Sequence, residues 1–242
     1  MLVKITNSCT MGCSHCMEAA VPNGSHMSME MFVKALDFID RNKFMFVMLS
    51  GGEPTDHPQF CEFVKTAKAK LGSEPLRVLV LSNGLFWANE RRREEYLALN
   101  VNFQIINDPE YYPIRVDRID HPRVLYDDKI MAPITPLGRA ITLSRKPKAS
   151  RMSPLCFNLR SATRQLKDFQ KAVLLLRQAG KMCTPSIKED GAIVAGESCF
   201  CHYLGHVESS NVELTNRVMD MKCNVCGLVD NLTPEFKKII GE

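Results

Sequence analysis

The chain carries 242 residues, 45% of them hydrophobic and 24% charged, with a formal net charge of +4. That length suffices for a full hydrophobic core and a small appended module, and no apolar run reaches the length of a membrane span. Ten cysteines, behind an N-terminus without the charged and apolar regions of a signal peptide, point to metal binding in the cytoplasm rather than to disulfides.

The apolar opening predicts a strand over Leu2–Thr6, and its carboxyl end runs into Cys9, Cys13 and Cys16. Ser28 is placed to start a helix over Met29–Arg41, with Met31, Phe32, Ala35, Leu36 and Ile39 on one face. A short strand of buried type, Phe44–Leu49, ends in Ser50-Gly51-Gly52-Glu53-Pro54. Helix Pro58–Lys70, strand Arg77–Leu81, helix Asn89–Leu99 and strand Val101–Ile106 follow. From Pro109 to Pro154 the pattern loosens into prolines and short runs such as Arg123-Val124-Leu125-Tyr126, which predict short strands and loops. An amphipathic helix is expected over Thr163–Gln178, ended by Gly180. Asp190-Gly191 reads as a hairpin turn between Ile187 and Ile193-Val194. Repeated strand–helix units imply an α/β fold with a parallel sheet and right-handed crossovers, its functional loops at the strands' carboxyl ends.

Three thiols within eight residues can hold three irons of a [4Fe–4S] cube and leave the fourth iron open, as a catalytic metal keeps an open position. Zinc is the alternative, but it takes four ligands in complementary pairs, and His15 is badly placed to be the fourth. Gly51 and Gly52, at a strand's carboxyl end, would let a ligand approach the backbone closely. The spacing C-x3-C-x2-C, followed about 35 residues later by Gly-Gly-Glu-Pro, resembles the radical S-adenosylmethionine (SAM) enzyme signature.

The resemblance implies a partial (β/α)6 TIM-like barrel. Its open iron would chelate SAM, whose cleavage gives a 5′-deoxyadenosyl radical that abstracts hydrogen from substrate. It makes Cys9, Cys13 and Cys16 the catalytic cluster ligands, and Gly51, Gly52, Glu53 and Pro54 the segment at the methionyl amino group. His15 holds a position that is usually aromatic in the family, beside the adenine; a solvated loop histidine is the alternative. Ser82 and Asn83 resemble a family turn beside the cofactor, or are an ordinary Asn-Gly turn with Gly84. Gln104, Asn107 and Asp108 fall where relatives place ribose contacts. Arg139, in Pro136-Leu137-Gly138-Arg139-Ala140, would meet the SAM carboxylate with its fork, or lie on the surface.

In the C-terminal third, Cys183, Cys201, Cys223 and Cys226 make a four-thiolate set. Their arrangement, Cys183-x12-Gly196-x4-Cys201 followed by a C-x2-C pair, resembles the twitch domain, the short form of the SPASM domain, with one auxiliary [4Fe–4S] cluster. Zinc is the rival occupant, Cys199 an alternative to Cys201, and Cys156 a further candidate; Cys61 reads as a core residue. The expected organisation is a core over 1–155, a linking strand and helix over 156–180, and the twitch-like domain over 181–242. Two bound clusters would bring the charge to about +1, so the apparent basicity is a weak argument for nucleic acid.

A relative of similar length and twitch architecture is a radical SAM alcohol oxidase. A small or medium substrate is therefore expected, with a net two-electron oxidation in which the auxiliary cluster accepts an electron. Modification of a peptide, and rearrangement of a modified nucleoside or nucleic acid, are the alternatives. A flavodoxin or ferredoxin would supply electrons. With the first motif at residue 9, no leading recognition domain or targeting segment is expected, and no membrane partner.

Overall fold

A computed structural model describes residues 1–130, 134, 137–143, 168–178 and 183–221. Its strands are β1 (Leu2–Thr6), β2 (Val47–Gly51), β3 (Val78–Ser82), β4 (Asn102–Ile106), β5 (Val124–Asp127), β6 (Ser186–Ile187), β7 (Ala192–Val194) and β8 (Tyr203–His206). The described α-helices are α1 (Met29–Arg41), α2 (Phe60–Leu71), α3 (Glu90–Ala98), α4 (Asp168–Gln178) and α5 (Asn211–Met219). All eight strands join one sheet in the order β5-β4-β3-β2-β1-β6-β7-β8. Pairings from β5 through β1 to β6 are parallel, while β6-β7 and β7-β8 are antiparallel. This is an α/β fold with a mostly parallel sheet.

Alternation along the strands sorts the side chains onto two faces. Val3, Ile5, Val47, Leu49, Val78, Val80, Phe103 and Ile105 are fully buried, in one cluster with Phe32, Leu36 and Ile39 of α1 and Phe63 and Val64 of α2. The intervening positions Lys4, Met48, Leu79, Leu81, Gln104 and Leu125 turn to the opposite face. Ser28 caps α1 by accepting the Met31 N–H at 3.1 Å, and Asn89 caps α3 by accepting that of Arg92 at 3.0 Å.

β2 starts at Val47 rather than Phe44. The Phe44 N–H bonds back to Ile39 O at 3.1 Å, Lys43 takes φ +57°, and Met45 is 76% exposed, so these residues complete the end of α1. Between β4 and β5 the chain crosses without a helix. Asn107 organises that crossing: its Nδ2 donates to Ile114 O and its Oδ1 accepts from Val116 N, both at 3.0 Å.

The 190–191 turn sits where the sequence places it, with Gly191 at φ +83° and β6 antiparallel to β7. Because β6 also pairs with β1, this hairpin continues the core sheet. Residues 163–167 and Gly180, at the ends of the expected 163–178 helix, lie outside the described residues, as do Cys156, Cys223 and Cys226.

Candidate active site

The cysteine loop leaves β1 and returns alongside itself. Cys9 N donates to Val21 O at 2.9 Å, Asn7 N to Ser25 O at 2.8 Å, and Met27 N to Ile5 O at 2.8 Å. Thr6 Oγ1 donates to Ser25 O at 3.0 Å and accepts the Ser8 N–H at 2.9 Å. Every one of these bonds ties the root of the loop, leaving Cys13 and Cys16 on its far part.

Gly51 and Gly52 meet that root directly. Gly52 N donates to Thr6 O at 2.7 Å and Glu53 N to Ser8 O at 2.8 Å. A Cβ at Gly51 would overlap the Thr6 carbonyl oxygen, and one at Gly52 the Ser8 carbonyl oxygen. The close approach these glycines permit is therefore to the backbone leaving β1, a reason the sequence does not disclose.

Glu53 is buried and works as a hub. Its Oε1 accepts from Thr55 N at 3.1 Å, Thr55 Oγ1 at 2.7 Å and Ser82 Oγ at 2.9 Å, and its Oε2 accepts from Asn83 N at 2.7 Å. Burial pushes its carboxyl up to about 6 against the lowering effect of these donors. Pro54 is buried at the start of a single 3-10 turn, Pro54–Asp56. Asn83 extends the network: its Oδ1 accepts from Leu85 N at 2.9 Å, which orients Nδ2 toward Cys9 Sγ at 3.8 Å. Met11 N donates to the same sulfur at 3.4 Å.

Cys9, Met11, Cys13 and Ala20 are buried together, with Cys16, Leu85 and Tyr112 packed against them. Burial raises the Cys13 thiol to about 12, with Cys9 and Cys16 adding to the effect, and burial likewise raises Cys9. Above them, His15 lies against Tyr112 at 4.9 Å and edge-on to Tyr111 at 5.4 Å between ring centroids. Burial lowers His15 to about 4, and its buried Nδ1 has no hydrogen-bond partner. Tyr112 has its phenol pushed up, first by burial and then by Cys13, Glu53 and Cys9.

Arg139 holds the loop from another side. Its Nε donates to Cys13 O at 2.9 Å, its Nη1 to Ala20 O at 2.6 Å, and its backbone N–H to Cys16 O at 2.9 Å. Gly138 takes φ +55°, and a Cβ there would lie 2.7 Å from Met17 O and 2.8 Å from Cys16 O, so only glycine lets the segment dock this closely. The guanidinium is thus engaged with backbone carbonyls rather than lying on the surface.

Of the proposed ribose contacts, Asn107 is 1% exposed and spends its amide on the 107–116 loop. Asp108 accepts from Glu110 N at 3.0 Å and Ile130 N at 2.9 Å. Gln104 stands on the open sheet face and lines a groove of about 360 Å³ with Met48, Leu79 and Leu125. That groove opens at the amino-terminal halves of β4 and β5, away from the cysteine loop.

Cys183 and Cys201 come together. A Cβ added to Gly196 would lie 2.6 Å from Cys201 Sγ and 3.6 Å from Cys183 Cβ, so both side chains crowd the same glycine. Ser186 Oγ fixes this glycine by donating to its carbonyl at 2.6 Å. Cys199 turns elsewhere, toward Glu18. Cys61 is half-buried, its Sγ 3.4 Å from Glu95 Oε1. Among the described residues, no three His, Cys, Asp or Glu side chains converge on a single metal ion.

These residues fit a [4Fe–4S] cluster with SAM. Two buried thiols and the half-buried Cys16 gather in one cluster, two N–H groups point at the Cys9 sulfur, and His15 in the same loop has an unpartnered Nδ1. Sequence reading missed Tyr111, Tyr112, Glu18 and Ser198. The tyrosine pair at the carboxyl end of β4 was a visible signal; the other two acquire meaning only when distant loops meet.

Comparison with known families matches the Radical SAM superfamily over residues 3–128, just over half of the chain. No curated protein matches. Among solved structures, BtrN in complex with AdoMet and 2-DOIA is similar, with a TM-score of 0.55 and 12% identity, over 91% of this chain and 85% of that one. BtrN in an open conformation gives a TM-score of 0.51 and 14% identity over 95% and 92%. Both likenesses concern the fold. Among the described residues no helix is long and apolar enough to cross a membrane.

Proposed function

The chain belongs to the radical SAM superfamily, and on that footing we propose that this enzyme oxidises a small or medium substrate by two electrons, the second passing to a C-terminal [4Fe–4S] site. Cys9, Cys13 and Cys16 would hold a [4Fe–4S] cluster with SAM at its open iron, which would supply radical chemistry for taking a hydrogen atom from the substrate. The C-terminal thiols would hold the group that takes up the second electron, the accompanying proton leaving the substrate's adjoining O–H or N–H. An external one-electron donor such as a flavodoxin or ferredoxin serves the first site.

The chain's own residues prepare both sites. Asn83 and Met11 direct N–H dipoles at Cys9, which offsets thiolate charge. His15, Tyr111 and Tyr112 form a ring group beside the cysteine cluster, suited to a nucleoside base. Arg139 holds the loop that carries Cys13 and Cys16. Gly51, Gly52, Glu53, Pro54, Ser82 and Asn83 form the strand-end segment for the SAM methionyl end, while Gln104 lines the groove away from the cysteine loop.

One observation supports a second thiol site and with it the oxidative reading: Cys183 and Cys201 crowd Gly196, as two ligands of one cluster would; Cys223 and Cys226, outside the described residues, are the sequence's candidates for the other two. BtrN, similar in fold over most of both chains, holds AdoMet together with 2-DOIA, and a small-molecule substrate is in keeping with it.

The test is Cys226→Ala in folded, anaerobically reconstituted protein with substrate pools of aminocyclitols, nucleosides and peptides. The variant is expected to keep substrate-dependent 5′-deoxyadenosine formation and to lose oxidised product by roughly tenfold, about 1.4 kcal/mol at the second step. Full product yield without the second cluster would overturn the acceptor role. A redox-neutral isomer as product would replace oxidation by rearrangement.

A further inference from the structure

On the sheet face opposite Val3 and Ile5, β1 carries Lys4 between Leu2 and Thr6. Lys4 is 2% exposed, and a cation so placed requires a partner. That partner is Glu18, two residues past Cys16: its Oε1 accepts from Lys4 Nζ, and the two side chains are 3% and 13% exposed. The other carboxylate oxygen faces a different part of the chain. Glu18 Oε2 accepts the backbone N–H of Cys199 at 3.1 Å.

Two further contacts run alongside. Ser198 Oγ donates to Met17 O at 2.8 Å, and Cys199 Sγ lies 3.8 Å from Glu18 O. The dipeptide that follows Cys16 is therefore laid against the dipeptide two residues before Cys201. Cys201 N in turn donates to Ser198 O at 3.0 Å, so the turn that presents Cys201 begins at the docked residue. On its other side the same stretch is covered by Gly138 and held by Arg139 N. The hairpin beyond makes its own contact, Ser25 Oγ with Glu189 Oε1 at 2.8 Å, and α1 reaches β8 through Arg41 and the Val207 carbonyl at 2.7 Å. Those contacts hold the C-terminal strands on the core; the Glu18 contact uses a carboxylate paired to the buried Lys4 to reach the segment beside Cys201.

We propose that Glu18 is a positioning residue that locks the Cys201 turn onto the loop of Cys9, Cys13 and Cys16, so that the distance and orientation between the two thiol sites are set by one half-buried carboxylate. The inference rests on the two-site reading of the function. Lys4 aims the carboxylate from one side, and Cys199 supplies a backbone N–H from the other rather than a thiolate. An electron leaving the substrate needs a fixed acceptor, and this contact fixes the part of the C-terminal site that the structure describes.

The test compares Glu18→Ala, Ser198→Ala, and two variants in a Lys4→Met background, Lys4→Met with Glu18→Gln and Lys4→Met with Glu18→Ala. The background removes the buried cation, so a folding failure of Glu18→Ala does not end the test. Hydrogen exchange of peptides spanning residues 196–202 is followed in metal-free full-length protein that gives a cooperative melt. The expected result is at least tenfold faster exchange at Cys199 with alanine at position 18 in either background. Glutamine, which retains the acceptor for the Cys199 N–H, should bring exchange back to within about threefold of the parent. Unchanged exchange in the folded alanine variants would overturn the proposal, as would a full effect from Ser198→Ala alone.

The second readout uses the reconstituted protein reduced with dithionite, where magnetic coupling between two reduced clusters broadens their electron paramagnetic resonance. Alanine at position 18 should weaken that broadening while the iron count stays unchanged. Iron for only one cluster in the parent protein would defeat the two-site reading, and the exchange measurement would still decide the docking role of Glu18.

Discussion

Asn83 and Cys9, 74 residues apart in the chain, meet through the Asn83 amide, whose Nδ2 lies 3.8 Å from Cys9 Sγ. The same residue donates its backbone N–H to Glu53 Oε2 at 2.7 Å. A strand-end carboxylate, a turn amide and a cysteine sulfur thus form one connected path across β2, β3 and the cysteine loop. N–H groups aimed at a sulfur ligand favour the more negative, reduced form of a cluster. Asn83→Leu should lower the midpoint potential of the N-terminal cluster. A lost bond of about 1 kcal/mol corresponds to roughly 40 mV for one electron. Spectroelectrochemical titration checks this, and an unchanged potential would show that the contact carries no tuning.

Glu53 invites a complementary change. Four donors converge on its carboxylate, and Glu53→Gln would set an amide –NH2 against at least one of them. The substitution should cost about 1–3 kcal/mol of stability, read as a lower denaturation midpoint at constant slope. A variant as stable as the parent would mean that the network readjusts around the amide.

Much of this was legible in the chain. Period-two apolar runs placed β1, β3 and β4 to within a residue, and Ser28 marked the start of α1. Position 44 misled because Phe44-Met45-Phe46 is as apolar as a strand, while Lys43 turns the backbone before it. The cysteine and Gly-Gly-Glu-Pro motifs located the site, but the reason for Gly51 and Gly52 lay in the carbonyls of Thr6 and Ser8, a contact that spacing alone does not encode. Glu18 shows the same limit: a carboxylate after a cysteine motif reads as solvated until Lys4 and Cys199 are found on either side of it.

Stability should respond to pH through His57. Its Nε2 lies 3.0 Å from Met27 O as donor, and its Nδ1 accepts from Gln59 N at 3.0 Å, which is the neutral ring. Burial lowers its pKa, so the unfolded chain binds the proton first as pH falls. The stabilisation from neutral His57 is full above the ordinary histidine range and is lost progressively as pH drops below it. In urea titrations, the stability gap between the parent and His57→Phe should narrow from pH 7.5 to pH 5.5. A gap that stays constant would remove His57 from the acid response.

Arg139 separates two roles that its position allows. As a clasp, it holds Cys13 O and Ala20 O with one planar fork, and lysine can replace only one of those bonds. Arg139→Ala should then lower N-terminal iron loading after reconstitution, with Arg139→Lys intermediate. As a carboxylate clamp for SAM, the same substitution would leave iron loading intact and weaken SAM binding. Iron analysis with SAM titration by electron paramagnetic resonance distinguishes them, and the geometry favours the clasp.

Gly196 offers the most local test of the C-terminal site. Its carbonyl is fixed by Ser186 Oγ, so the backbone there has little freedom to yield. An added Cβ would lie 2.6 Å from Cys201 Sγ, closer than a carbon and a sulfur can pack, and would displace that thiol from the space it shares with Cys183. Gly196→Ala should therefore reduce bound iron from about eight atoms to about four, the remaining four belonging to Cys9, Cys13 and Cys16. The cooperative melt of the metal-free variant should stay close to that of the parent, because the clash lies in the ligand pocket rather than among Val3, Ile5 and Leu49 of the core. Retention of all eight irons would show that Cys201 is dispensable and would transfer its place to another thiol. Loss of the N-terminal cluster as well would overturn the prediction and show that the two loops assemble as a unit.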